Sequence, residues 1–196
     1  MTFADVFVVG MSAALAALYL KNHAQDVSHV QSAYDGNTYL VRRNATSGEA
    51  ADTLARLNER VLMLLKHLEF RYPKDARIIS LKARYNPKAL SEGGHNSGHT
   101  SYSIDKGKRI VMCLRSRASG GRHGALENIN TLMYVLLHEL SHLATDELGH
   151  TKTFWANFDF VKREAATLGV YTETDYAAHP AGYCGIVIRS GTKKID

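Results

Sequence analysis

Residues Tyr134 to Trp155 read YVLLHELSHLATDELGHTKTFW, and this stretch decides what the domain is built around. Leu132, Met133, Leu136, Leu137, Leu140 and Ala144 recur at the three- and four-residue spacing of one helix face, which predicts a long helix running to about Thr145. Asn128 or Asn130 supplies its N-cap. Inside the helix stands His138-Glu139-Leu140-Ser141-His142. Two histidines four residues apart share a face, so both imidazoles can reach one ion, here expected to be Zn2+. Glu139 projects beside the pair, where it can take a proton from water that the metal acidifies toward a pKa of about 7.

A catalytic zinc site uses three protein ligands and keeps the fourth position open. His150 is the favoured third ligand, because Gly149 lets the chain turn back just before it. Glu164, on the next helix, is the alternative. His95 and His99 have metal-pair spacing, but Gly93, Gly94 and Gly98 argue for a loop there. His179 precedes Pro180 in the tail, as a contact to the site or plain surface. Tyr171, Tyr176 and Tyr183 are core or rim residues, any one of which could donate to a developing oxyanion.

Working outward, Leu54, Leu57, Val61, Leu64, Leu65 and Leu68 form one stripe of a helix over 49–71, stopped by Pro73. Arg77–Tyr85 reads as a strand with Ile79, Leu81 and Ala83 on one face. Thr100–Ile104 and Arg109–Arg115 form a hairpin around Asp105–Lys108, and Ser116–Gly124 is a loop. A further helix spans about Lys152–Leu168 and stops at Gly169, followed by a strand-like Ile186–Arg189. The expected fold is α+β, a small, mostly antiparallel sheet packed on the site helix and further helices. Three segments follow: an anchor at 1–22, a linker with a short strand near Thr38–Arg42 at 23–48, and the catalytic-type domain at 49–196.

The anchor rests on Val6–Leu20, VFVVGMSAALAALYL, which carries no charge. Residues 3–20 are expected to enter a membrane as an N-terminal helix. Lys21, Arg42 and Arg43 follow this segment, and the positive-inside bias leaves the domain on the cytosolic side. The N-terminus lacks the basic start of a cleaved leader.

At 196 residues, 45% apolar and 22% charged, the chain can bury a proper core, which excludes disorder and fibrous repeats. Lys and Arg exceed Asp and Glu by 24 to 19, a net charge of +5. The excess is concentrated at Lys106, Lys108, Arg109, Arg115, Arg117 and Arg122, either a solvated strand and loop or a weak nucleic-acid contact. Two cysteines exclude a disulfide framework and a four-cysteine zinc ribbon. Cys113 reads as a small buried hydrophobe and Cys184 as buried or a spare thiol, which points to a reducing compartment.

The stretch 134–155 resembles the WLM and SprT-like branch of the zincin metallopeptidases. Their pattern is H-E-x-x-H, then a third histidine followed four residues on by an aromatic. Here that is His138, Glu139, His142, His150 and Phe154, with Trp155 alongside. The resemblance extends upstream through RIVMCLR and covers roughly residues 76–168. Similar proteins occur in large DNA viruses, where SYSIDKGKRIVMCLR and the tail near AGYCG look like recurring features. The resemblance implies a zincin-like fold and hydrolysis of peptide bonds in a protein or peptide substrate. Zn2+ would sit on His138, His142 and His150, with Glu139 as general base. Peptide substrates of such clefts pair with an edge strand, here expected at Arg109–Arg115.

Cellular members of the branch cleave proteins crosslinked to DNA, so a DNA–protein crosslink protease is one alternative, and it would give the basic strip a purpose. The other is a structural minor capsid protein that keeps the fold on a virion's inner membrane, with capsid or other virion proteins as partners.

Overall fold

The leucine stripe expected over 49–71 is buried, residue for residue, on helix α1 (Ser47–Arg71) of a computed structural model that describes residues 26–94, 100–117 and 124–189. The Ser47 hydroxyl accepts the Asn44 N–H at 2.9 Å at the start of α1. Its last turn closes with the Tyr72 N–H donating to the Leu68 carbonyl, ahead of Pro73.

Five strands form one sheet: β1 (Val27–Gln31), β2 (Thr38–Arg42), β3 (Leu90–Glu92), β4 (Ser101–Ile104) and β5 (Arg109–Met112). Their order is β1-β2-β3-β5-β4. The outer pairs β1–β2 and β4–β5 are antiparallel, but β2–β3 and β3–β5 are parallel. The sheet is therefore mixed, a correction to the mostly antiparallel one expected. The cause is α1 and α2 (Ala76–Arg84), which together form the crossover that returns the chain to start β3 in the direction of β2. The strand expected at Thr38–Arg42 is β2, and β1 beside it comes from the stretch that read as linker.

The second correction concerns the anchor. Among the described residues no helix is long and apolar enough to cross a membrane. The expected anchor helix at 1–22 lies outside the described residues, and the fold as described is α+β with a mixed sheet and four helices.

The third is α2, which read as a strand. The Asp75 carboxylate accepts the Arg77 N–H at 2.9 Å and so caps a helix there. Ile78 and Leu81, one helical turn apart, are buried, while Ile79 is 57% exposed. A strand would have buried Ile79 together with Leu81.

At the centre runs α3 (Ile129–Ala144), covered by the sheet and the other helices and buried over nearly all its length. On it packs α4 (Lys152–Thr167), with Tyr134 edge-on to Phe158 at 5.3 Å. The tail forms a separate hairpin of β6 (Ala181–Tyr183) and β7 (Ile186–Ile188). Its turn residue Cys184 is disulfide-bonded to Cys113, just past β5, with Cα atoms 6.3 Å apart. This overturns the reading of both cysteines as unpaired, and with it the basis for inferring a reducing compartment. The two are 71 residues apart in sequence.

Candidate metal centre

His138 and His142 lie one turn apart on α3, their ring centroids separated by 5.1 Å. Between α3 and α4 the chain reverses: Thr145 is extended, Gly149 takes a φ of +78°, and His150 follows. That left-handed glycine aims His150 back at the helix, with ring centroids 4.8 Å from His138 and 5.0 Å from His142. The ligand nitrogens of all three lie within 4.8 Å of one another. These are the three histidines expected from the sequence, brought together as a cluster able to bind a metal.

Nitrogens held tetrahedrally at about 2.0–2.1 Å from one ion stand roughly 3.3 Å apart. The Nε2 atoms of His138 and His150 are 3.0 Å apart, so the cluster already has close to that spacing. Burial, then the neighbouring His142 and His150, pushes His138 down to about 3, and burial followed by His150 and Lys106 pushes His142 down to about 4. Both imidazoles are then neutral at ordinary pH, the form that ligates. The buried Nδ1 of His138 has no hydrogen-bond partner among the described residues.

Phe154, fully buried, forms the backing of the cluster, with its ring 4.8, 4.3 and 4.7 Å from those of His138, His142 and His150. Trp155 covers His150 at 5.5 Å. The C-terminal carbonyls of α3 are held from outside the helix. Arg84 donates to the Leu143 carbonyl at 2.8 Å, and Lys106 donates to those of Thr145 and Asp146 at 2.8 and 2.7 Å. Positive charge at that end complements the helix dipole and fixes the last turn, which carries His142.

Glu139 is 5% exposed and faces β4. Burial raises its carboxyl to about 7, while Ser103 opposes the rise by donating from its hydroxyl and its backbone N–H. Near neutral pH the group can thus both take and return a proton. The histidines and Glu139 open into a cleft of about 590 Å³, walled by β4 on one side and by Glu147, Leu148 and Gly149 on the other. Leu148 is 86% exposed at its mouth.

The turn between β4 and β5 forms the end of this wall. Asp105, Lys106 and Gly107 all have positive φ, and a Cβ on Gly107 would lie 2.4 Å from the Arg84 carbonyl oxygen and 2.9 Å from Leu143 Cδ2. Only glycine fits there.

Several expectations need correction at this level. Glu164, the alternative ligand, is held away from the cluster, accepting from the Tyr72 hydroxyl at 2.9 Å and facing His67 Nε2 at 3.0 Å. The edge strand beside the cleft is β4, because β5 is interior, between β3 and β4. Nothing local could have settled that order, since it depends on where β3 inserts. His179 is exposed in the tail and forms no part of the cleft, and His95 and His99 lie outside the described residues. Tyr171 and Tyr176 pack on Tyr134, whereas Tyr183 lies behind β4 and reaches Ser101.

The basic strip is divided in use. Arg115, 2% exposed, donates to the Glu92 carboxylate at 2.8 Å, a buried pair to which Arg42 adds its backbone N–H, also at 2.8 Å. Lys106 holds α3, Lys108 pairs with Asp105, Arg109 and Arg117 are exposed, and Arg122 lies outside the described residues.

No protein-family model matches the chain, and no solved structure does. It is 35% identical over 179 residues to the uncharacterized protein R325 of Acanthamoeba polyphaga mimivirus, covering 89% of each chain. It is also 29% identical over 163 residues to the uncharacterized protein 136R of Invertebrate iridescent virus 6, covering 83% of this chain and 88% of that one.

Proposed function

The chain belongs to the family of the mimivirus protein R325, and for this family we propose a zinc-dependent peptidase of the WLM and SprT-like zincin kind. The observation that carries the reading is the convergence of His138, His142 and His150 beside the buried carboxyl of Glu139, in a cleft walled by a sheet edge. Three imidazoles, those of His138 and His142 held neutral by burial, fit Zn2+ and leave a ligand position for water or substrate. Zinc held there would supply a Lewis acid that acidifies water and polarises a carbonyl.

The chain's own residues do the rest. Glu139 takes the proton of the attacking water and passes it to the departing amine, a role suited to a carboxyl titrating near 7. The free edge of β4 binds an extended peptide by backbone pairing, which places a scissile bond along the cleft without demanding a particular sequence. Leu148 adds apolar contact at the mouth. Phe154 and Trp155 shield the ligands from bulk water.

The test is Glu139→Gln beside wild type, both loaded with zinc and incubated with a random peptide library read by mass spectrometry. Wild type should cut the library. The variant should keep its zinc and lose roughly a hundredfold or more in rate, the usual worth of a general base. Wild type that binds zinc and cuts nothing would leave the metal as a brace for the fold and sink the peptidase reading.

A further inference from the structure

The disulfide between Cys113 and Cys184 has no part in the proposed chemistry, yet it is tied to the wall of the cleft. The β6–β7 hairpin shares no strand pairing with the five-stranded sheet. Besides the covalent link, it is held by the buried Ile188, by Ala181 and Ile186 packed against the core, by the Cys184 N–H donating to Glu127 Oε1 at 2.9 Å, and by Tyr183. Tyr183 is 1% exposed, and its hydroxyl lies 2.6 Å from Ser101 Oγ. The two hydroxyls share one hydrogen bond, and Ser101 Oγ also lies 2.8 Å from the Thr100 carbonyl oxygen. The Cys113 N–H donates to Ser101 Oγ at 3.2 Å.

Register makes these contacts one unit. Ser101 on β4 pairs with Met112 on β5, and Cys113 follows Met112. The hairpin is therefore fastened beside both strands at one level, covalently just past the end of β5 and through Tyr183 to β4. Ser101 and Ser103 share a face of β4, and Ser103 donates to Glu139. Cys184 and Gly185, with φ of +49° and +87°, form the two-residue turn that joins β6 to β7.

We propose that Cys113–Cys184 is a redox latch on the cleft wall, with Tyr183 as the positioning residue that carries its state to β4. In the oxidised chain the latch holds Tyr183 against Ser101 and keeps β4 in register beside Glu139. A dithiol reductant supplies two electrons and two protons; the protein's S–S bond becomes two thiols, and the reductant's sulfurs join as a disulfide. The hairpin then keeps only its non-covalent contacts, Tyr183 withdraws, and β4 loosens. None of the three histidines lies on β4 or the hairpin, so the metal cluster persists. The latch stands whether or not the cleft cuts peptides.

Hydrogen exchange read by mass spectrometry on the full chain tests it, comparing the oxidised protein, the same protein reduced by dithiothreitol, and Cys184→Ala. Exchange at 100–104 and 181–188 should accelerate roughly tenfold on reduction and in Cys184→Ala, with 129–144 unchanged. Tyr183→Phe, with its disulfide intact, should accelerate 100–104 alone. An oxidised chain whose intact mass reveals two free thiols would overturn the proposal. So would unchanged exchange at 100–104 after reduction, or acceleration spread evenly over all helices, which would mark the disulfide as a global staple.

Discussion

His150 brings its Nε2 to within 3.0 Å of the Nε2 of His138 across a reversal of the chain that α3 cannot make alone. Two of the three candidate ligands are fixed by helix geometry, and the third depends on the loop and its left-handed glycine. Replacing His150 with alanine should therefore leave α3 intact and weaken zinc by roughly a hundredfold or more, since even lost outer contacts cost ten- to a hundredfold. Metal content after dialysis, with a chelator competition for affinity, measures this. One zinc retained at unchanged affinity would remove His150 from the site.

Phe154 touches all three imidazoles and is fully buried. Phe154→Ala should cost about 3–5 kcal/mol of stability, as large-to-small aromatic changes do, and weaken metal binding with it. Phe154→Leu, which keeps most of the volume, should restore the greater part of both. Chemical denaturation with and without zinc separates packing from ligand positioning.

The metal-free protein should lose stability toward acid. His138 and His142 titrate at about 3 and about 4 in the fold, against 6.5 for the free side chain. Below about pH 6.5 the unfolded chain takes up protons that the native state refuses, so stability falls as the pH drops from there toward 4. Glu139 works in the opposite sense. Raised from 4.5 to about 7, it keeps a proton that the unfolded chain releases, so its contribution declines as the pH rises through that interval. Urea midpoints of chelated protein between pH 4 and 8 test both limbs. His138→Gln should flatten the acid limb and Glu139→Gln the other.

Arg115 is a buried cation whose carboxylate partner, Glu92, is equally enclosed. Arg115→Met strands that carboxylate near the Arg42 guanidinium at 3.8 Å, and should cost about 3–5 kcal/mol. Thermal melts read the loss. A change within a few tenths would mean that Arg42 alone can hold Glu92.

What the sequence made legible is what is local. The leucine stripe of α1, the capped site helix, the β4–β5 turn and the His138–His142 pair each depend on spacings within a few turns, and each is where periodicity puts it. Asp75 could have identified α2 as a helix, since an N-cap followed by Ile78 and Leu81 is a helical signal. The strand order was not legible, because parallel β2–β3 and β3–β5 pairing is decided by where a crossover lands, which no local pattern encodes. The same holds for Cys113 and Cys184, whose meeting requires the whole intervening chain to be folded.

The turn that ends the cleft wall is seated outside the cleft. Gly107 seats the β4–β5 turn against Arg84 of α2 and Leu143 of α3 with no room for one further carbon. The end of β4 is thus seated by a backbone contact outside the cleft. Over evolutionary time the two walls should then behave differently. On the other wall the exposed side chain of Leu148 can change as substrates change, while Gly149, at a φ of +78°, keeps the turn that aims His150. The turn at 105–108 cannot lengthen without moving a strand. Diversification in this family should therefore accumulate on the Leu148 side, while the β4 side keeps its gauge.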